Sequence, residues 1–256
     1  MPKRLFALLL TLFAAVALTA TALAAGGASA GPAIVGGTGA DEPYPFTVSM
    51  HTESGTLFCA GSLIAPTWVV TAAHCVSGKD PATLTFRLGT NESASGGETA
   101  QPAEIVLNPH FNASTQTGDL ALVRLAAPAK TAPIAVGAAA APGTATRVLG
   151  WGQTCATPGC GDPVPTLQQL DTHLVEGAKC TSSFDGTAEL CTDNPAGKAG
   201  SCYGDSGGPE LTRDGDHWTL IGVTSRPGNG SSTCATAPSI YTSVVAYAPW
   251  ISSKTG

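Results

Sequence analysis

The amino-acid sequence predicts an antiparallel all-β protein, built as barrels or sandwiches. Short apolar or β-branched runs follow one another beyond residue 33, and Gly, Pro, Asn and Ser separate them. No long helical pattern lies between these runs, so a parallel sheet with helical crossovers is disfavoured. The composition agrees, because 31 Gly, 19 Pro and only 12% charged residues in 256 exclude a coiled coil or a charged disordered tail.

The predicted strands are runs whose composition and length suit a β-strand bounded by turn residues. They span residues 57–64, 68–72, 84–88, 104–107, 120–125, 146–150, 218–224 and 239–244. Helix signals are confined to the C-terminus, where four residues recur at helical spacing. These are Val244, Tyr247, Ala248 and Ile251. Pro249 is tolerated only in a first turn, so the helix should begin at residues 246–248 and end near 253.

The N-terminal segment predicts export. Lys3 and Arg4 precede an apolar run over residues 5–18, and small-residue sites follow at 22–24 and 28–30. This pattern is typical of a secretory signal peptide, here residues 1–24 or 1–30. A transmembrane anchor is the alternative, but its threonines and the lack of a basic flank disfavour it. We therefore expect a secreted, extracellular protein that is not held at the membrane after signal removal.

Charge and cysteine content narrow the function. Eighteen acidic residues against twelve Lys and Arg give a net charge of −6, without a basic cluster that could bind nucleic acid. All 8 cysteines lie beyond the signal, and an even number in an exported chain favours disulfides. A zinc site is disfavoured, because the cysteines form no paired CxxC arrangement and the 5 His are scattered.

Three short motifs could carry chemistry: TAAHC at residues 71–75, DLALV at 119–123 and GDSGGP at 204–209. A serine hydroxyl is a poor nucleophile unless a base takes its proton, and imidazole suits that task near neutral pH. A buried carboxylate on the other ring nitrogen would hold the imidazole in one tautomer. Singly, such residues are more often structural; together, they indicate catalysis.

With IVGG at 34–37 and GWG at 150–152, these motifs resemble the trypsin/chymotrypsin family of serine proteases, from residue 34 to about 253. The resemblance implies two six-stranded antiparallel β-barrels, a short C-terminal helix and a protease domain over 34–256. It implies a serine endopeptidase that acts on proteins or peptides as a monomer, without cofactor or metal, and that a protein inhibitor could bind. The alternatives are a non-catalytic binding module on this fold, or an esterase or amidase of low peptide specificity.

The resemblance also assigns roles to individual residues. It implies that Ser206 is the nucleophile, His74 the general acid and base, and Asp119 the carboxylate that orients His74. The backbone N–H groups of Gly204 and Ser206 would form the oxyanion hole.

Activation is implied by the same resemblance. Cleavage after Ala33 would create an α-ammonium on Ile34 that pairs with Asp205, so the chain would be a zymogen. The propeptide would be residues 25–33 or 31–33. Because Ala33 stands where Lys or Arg is usual, the activating protease should accept small residues.

The specificity pocket departs from tryptic members. Gly200 occupies the position of their basal Asp, Ser239 would narrow one wall, and Arg226 follows Ser225 in the wall strand. Small or medium uncharged substrate side chains are therefore expected, with larger apolar ones second. Acidic side chains paired to Arg226 come third, because a solvent-facing arginine is the favoured interpretation.

The resemblance pairs six of the cysteines as Cys59–Cys75, Cys180–Cys191 and Cys202–Cys234. The remaining two, Cys155 and Cys160, flank Pro158 and Gly159, so a local bridge between them is plausible.

Overall fold

The computed structural model describes residues 34–256, and the predicted signal peptide and propeptide lie outside the described residues. Two antiparallel sheets of seven strands organise this part of the chain. The strands are β1 (Thr38–Gly39), β2 (Thr47–Thr52), β3 (Leu57–Ala65), β4 (Trp68–Thr71), β5 (Leu84–Leu88), β6 (Glu98–Ala100), β7 (Pro102–Leu107), β8 (Ala121–Leu125), β9 (Ala145–Gly150), β10 (Gln168–His173), β11 (Glu189–Thr192), β12 (Pro209–Asp214), β13 (His217–Pro227) and β14 (Ser239–Ser243).

The first sheet has the strand order β6-β5-β2-β3-β4-β8-β7. Burial alternates along its strands, because successive side chains point to opposite faces of a sheet. In β5, Leu84, Phe86 and Leu88 are buried and face the core, while Thr85 and Arg87 are partly exposed. The adjacent strands β4 and β8 are almost wholly buried. Strand β4 ends at Thr71 of the TAAHC motif, and its partner β8 begins at Ala121 of the DLALV motif. The two motifs therefore meet at the same end of this strand pair.

The second sheet has the order β1-β10-β9-β12-β13-β14-β11. Strand β12 follows the GDSGGP motif and pairs with both β9 and β13. The two-residue strand β1 pairs with β10, which ties the segment just after Ile34 to this sheet. Val35 also forms an isolated bridge with Gly200, four residues before the GDSGGP motif.

The predicted all-β fold is confirmed, and it is consistent with a double β-barrel. Each sheet has seven strands rather than six, because the very short strands β1 and β6 extend the sheets at their edges. Every predicted run forms a strand, but β1, β2, β6, β10, β11 and β12 were not predicted. Strands β2 and β10, with the sequences TVSMHT and QQLDTH, are polar although most of their residues are buried. Hydrogen bonds satisfy such side chains; His51, for example, contacts the carbonyl of Ser93 at 2.9 Å.

Helices are short and few in the described residues. The predicted C-terminal helix is present as α2 (Ala248–Thr255), with Pro249 in its first turn. A four-residue helix, α1 (Ala73–Val76), carries His74 directly after β4. Short 3-10 turns lie at Pro81–Thr83, Gly177–Lys179 and Pro195–Gly197. No helix within residues 34–256 is long and apolar enough to cross a membrane.

Four disulfides link the expected cysteines. The bridges are Cys59–Cys75, Cys155–Cys160, Cys180–Cys191 and Cys202–Cys234. The first joins β3 to α1 beside His74, and the last joins the segment preceding Asp205 to the segment preceding β14. Cross-links that close chain segments in this way limit the conformations of the unfolded chain.

Candidate active site

The three motifs meet at one cavity. His74 and Ser206 both line a cavity of about 400 Å³. His74 lies in α1, which follows β4 of the first sheet, and Ser206 lies in the loop that leads into β12 of the second sheet. Asp119 lies just before β8 and is fully buried behind the imidazole. Segments that adjoin both sheets therefore line the cavity.

Asp119 holds His74 through two hydrogen bonds. The backbone N–H of His74 donates to Oδ1 at 2.8 Å, and Nδ1 of its ring contacts Oδ2 at 2.6 Å. Ser225 Oγ donates to the same Oδ2 at 2.7 Å. An ionised carboxylate can only accept, so the ring must carry its proton on Nδ1. The neutral ring then keeps Nε2 as an acceptor.

Backbone hydrogen bonds to both sheets hold the loop around Ser206. The Ser206 carbonyl accepts from Ala60 N of β3 at 2.8 Å, and Gly207 N donates to Thr224 O of β13 at 2.9 Å. The Ser206 hydroxyl lines the cavity, and no group in the described part of the chain forms a hydrogen bond with it. It is therefore free to meet a ligand.

Two glycines allow the close approach of this loop to its neighbours. Gly207 has φ +81°, and a Cβ there would overlap Thr71 Oγ1 and the Ala60 carbonyl. Gly204 has φ +97°, and its Cβ would lie 3.0 Å from Gly152 Cα. Within residues 34–256 the N–H groups of Gly204 and Ser206 donate no hydrogen bond. Two donors are thus left unused beside the serine hydroxyl.

Asp205 is fully buried next to this loop. Its oxygens accept from Gly152 N at 2.7 Å and from Cys202 N at 2.8 Å. Burial raises its pKa to about 7, and these two amide donors lower it only in part. A Cβ on Gly150 or Gly152 would collide with the carboxylate, so glycines form its cradle. No cationic side chain of the described residues pairs with it.

Ile34 is also buried, with 1% of its surface exposed. Its side chain belongs to a small apolar cluster in the second sheet, together with Val148, Leu170, Ala199 and Tyr241. The next residue, Val35, accepts a hydrogen bond from Gly200 N at 2.9 Å. Ile34 thus lies inside the protein rather than on its surface.

The predicted pocket residues divide into two groups. Ser225 and Arg226 line the cavity together with His74 and Ser206. Gly200 and Ser239 do not line it; a Cβ on Gly200 would lie 3.6 Å from Ser239 Oγ, which is 3.3 Å from Ser201 Oγ. None of the described residues that line the cavity is acidic.

The predicted solvent-facing position of Arg226 is wrong. Only 8% of the residue is exposed, because its two terminal nitrogens pair with the buried Glu189 carboxylate at 2.8 and 2.9 Å. Sequence reasoning missed Glu189. The signal for it was an arginine inside a run of buried strand residues, since such a charge needs a buried partner.

Among the described residues, one group has the geometry to hold a metal ion: Cys59, His74 and Cys75. The two sulfur atoms are bonded to each other in a disulfide, so neither can act as a thiolate ligand. These three residues therefore do not fit a metal ion.

Comparison with known proteins identifies the family. The model of the trypsin family matches residues 34–251, which contain both sheets and the cavity. A protein named trypsin, from Saccharopolyspora erythraea, is 34% identical over 229 residues, which cover 84% of this chain and 94% of that relative. The fold and the site thus define a serine protease. The chain belongs to the trypsin family.

Replacing Gly207 by alanine tests the packing of the serine loop. Gly159 is the matched control, because it also has positive φ (+70°) but has no atom within 4 Å of a built Cβ. Both substitutions carry a backbone strain of roughly 1–2 kcal/mol, and only Gly207→Ala adds overlap with Thr71 and Ala60. Thermal unfolding should show a midpoint several degrees lower for Gly207→Ala than for Gly159→Ala. Equal midpoints would contradict the packing described here.

Proposed function

We propose that the chain is a secreted endopeptidase that hydrolyses peptide bonds through an acyl-enzyme on Ser206. The observation that carries the proposal is the contact of the buried Asp119 carboxylate with Nδ1 of His74, at 2.6 Å. It leaves Nε2 as the basic atom on a ring that shares its cavity with the Ser206 hydroxyl. A hydroxyl and a base in one cavity are what nucleophilic catalysis requires.

In the proposed first step, Ser206 Oγ attacks the carbonyl carbon of the peptide while His74 Nε2 takes the hydroxyl proton. The ring becomes an imidazolium, which the Asp119 carboxylate stabilises without accepting the proton. The carbonyl oxygen gains negative charge and binds the free N–H groups of Gly204 and Ser206. One such donor is worth about 3–4 kcal/mol of transition-state stabilisation.

The tetrahedral intermediate then collapses. The carbon–nitrogen bond breaks, and the His74 imidazolium gives its proton to the leaving amine. A water molecule attacks the resulting ester with His74 again as base, and the proton returns to Ser206 Oγ as the acid product leaves. Ser225 supports both steps, because its hydroxyl donates to the Asp119 oxygen that faces the ring.

Ser206→Ala tests the nucleophile. We expect a loss of peptidase activity on the order of 10⁴-fold or more, with a nearly unchanged midpoint of thermal unfolding. Ser232→Ala is the control, because Ser232 lines the same cavity but has no role in the proposed chemistry. A fluorophosphonate should label Ser206 alone, as read by mass spectrometry. Absence of both labelling and hydrolysis would favour a binding module, and labelling elsewhere would exclude Ser206.

We further propose that the chain is a zymogen activated by cleavage between Ala33 and Ile34, after removal of a signal peptide ending at residue 24 or 30. Asp205 supports this proposal, because it is fully buried and has only two amide partners. A new ammonium on the buried Ile34 would supply the missing cation. The four disulfides agree with an oxidising, extracellular destination.

Chains that begin at Ala33 and at Ile34 test activation. The chain that begins at Ile34 should be far more active, by at least tenfold, and full activity of a chain that begins at Gly31 would contradict the proposal. Stability should differ as well. With a folded pKa of about 7, raised from 3.8, the Asp205 carboxyl contributes stability at low pH that is lost as pH rises through 7.

The thermal midpoint of the chain that retains Ala33 should therefore fall more between pH 5 and pH 8 than that of the mature chain, whose ammonium lowers the pKa of Asp205. Asp205→Asn, introduced into the longer chain, should remove this extra dependence. An identical pH dependence in the chains that begin at Ala33 and at Ile34 would show that Ile34 and Asp205 do not interact.

For the substrate, we propose small or medium uncharged side chains on the acyl side of the scissile bond. The absence of acidic side chains among the described residues that line the cavity supports this, since nothing there would offset the desolvation of Lys or Arg. Larger apolar side chains rank second, because one methylene is worth only about 1–3 kcal/mol. Acidic side chains rank third.

Matched peptides ending in Ala, Leu, Phe, Glu or Arg test this ranking through kcat/KM. Ala or Leu should exceed Arg by at least tenfold. A tenfold preference for Arg over Ala would overturn the pocket argument. An ester with the preferred residue, measured in parallel, separates a protease from an esterase of low peptide specificity, because only the esterase would cleave the ester and leave all peptides intact.

A further inference from the structure

The guanidinium of Arg226 connects strand β13 to two other segments beside the cavity. Its Nη1 donates to Glu189 Oε1 and to the Gln116 carbonyl, both at 2.8 Å. Its Nη2 donates to Glu189 Oε2 at 2.9 Å and to the Ser183 carbonyl at 2.8 Å. The four N–H groups on the two terminal nitrogens are therefore all in use, and Nε, which has no partner among the described residues, is buried.

The two carbonyl partners belong to residues with unusual backbone geometry. Gln116 has φ +54° and Ser183 has φ +50°, although neither is a glycine. Gln116 lines the cavity and precedes Asp119 in the same loop, and Ser183 lies within the loop closed by Cys180 and Cys191. Strained residues of this kind persist only where neighbouring contacts hold them. Arg226 supplies such a contact to both loops.

Charge is balanced behind the cavity wall. The Glu189 side chain is fully buried, and its Oε2 also accepts from Asp185 N at 2.8 Å. Among the described residues that line the cavity, only Arg226 carries a permanent charge. Its Nη1 also approaches Ser225 Oγ at 3.3 Å, next to Asp119. Glu189 thus neutralises a cation that stands on the wall of the cleft.

We propose that Arg226 and Glu189 form a specificity-determining pair: the buried carboxylate engages the guanidinium, so that the cleft wall favours uncharged substrate side chains over acidic ones. This inference rests on the proposed peptidase activity of the same cavity. By this inference Glu189, which does not line the cavity, determines whether the cleft accepts acidic side chains.

The test compares peptides that differ only by Glu or Gln at each of the first four positions on the acyl side. The readout is the ratio of kcat/KM for Glu to that for Gln, measured with the mature enzyme. In the unsubstituted protein Gln should be preferred at every position. A tenfold preference for Glu at any of them would overturn the proposal.

Glu189→Gln keeps the shape and the acceptor for Asp185 N but frees the charge of Arg226. The Glu/Gln ratio should rise by at least tenfold at one or more positions. Glu104→Gln is the matched control, because Glu104 pairs with Arg124 on the exposed face of β7 and β8. Its ratio should stay within twofold of the unsubstituted protein. An active Glu189→Gln enzyme with an unchanged ratio would overturn the proposal.

Glu189→Gln could fail to fold, because it leaves a buried cation without its partner. The double variant Arg226→Met/Glu189→Met removes both charges and keeps the volume. Its Glu/Gln ratio should remain within threefold of the unsubstituted protein, whereas a tenfold fall would show that Arg226 already binds acidic side chains. Loss of hydrolysis of every peptide by the unsubstituted protein, without fluorophosphonate labelling, would instead refute the proposed function.

Discussion

The buried carboxylate of Asp119 is the constraint on which the site depends. An ionised group without solvent is tolerated only when donors surround it, and here the donors are His74 N, His74 Nδ1 and Ser225 Oγ. These donors come from two structural contexts: α1 after β4 for the histidine, and β13 of the second sheet for the serine. Satisfying this one carboxylate therefore fixes the imidazole and brings the two sheets together at the cavity.

Backbone hydrogen bonds to both sheets hold the loop around Ser206 in a similar way. Ser206 is bound through its carbonyl to β3 and through the following N–H to β13, so the loop cannot move without breaking contacts to both sheets. Glycine at 207 permits the contact with β3 and β4. Asp205 lies on the other side of the loop, buried and short of a cation. Burial raises the pKa of its carboxyl, and the two amide donors offset this effect only in part.

The sequence predicted the parts of this structure that depend on local patterns. Apolar runs identified eight of the fourteen strands, and the motifs identified the residues that the structure brings together at the cavity. Strands β2 and β10 escaped prediction because their buried side chains are polar and rely on distant partners, such as Ser93 for His51. The pairing of Arg226 with Glu189, 37 residues away, escaped for the same reason: a buried ion pair depends on loops whose course is not encoded by periodicity.

We infer that Asp119 selects the tautomer of His74 that leaves Nε2 free to act on Ser206. Nitrogen-15 chemical shifts of the His74 ring in the mature enzyme, recorded at pH 8, distinguish the two tautomers. We expect a proton on Nδ1 and none on Nε2, and loss of that single tautomer in Asp119→Asn. A proton on Nε2 in the unsubstituted enzyme, or the same tautomer in Asp119→Asn, would contradict it.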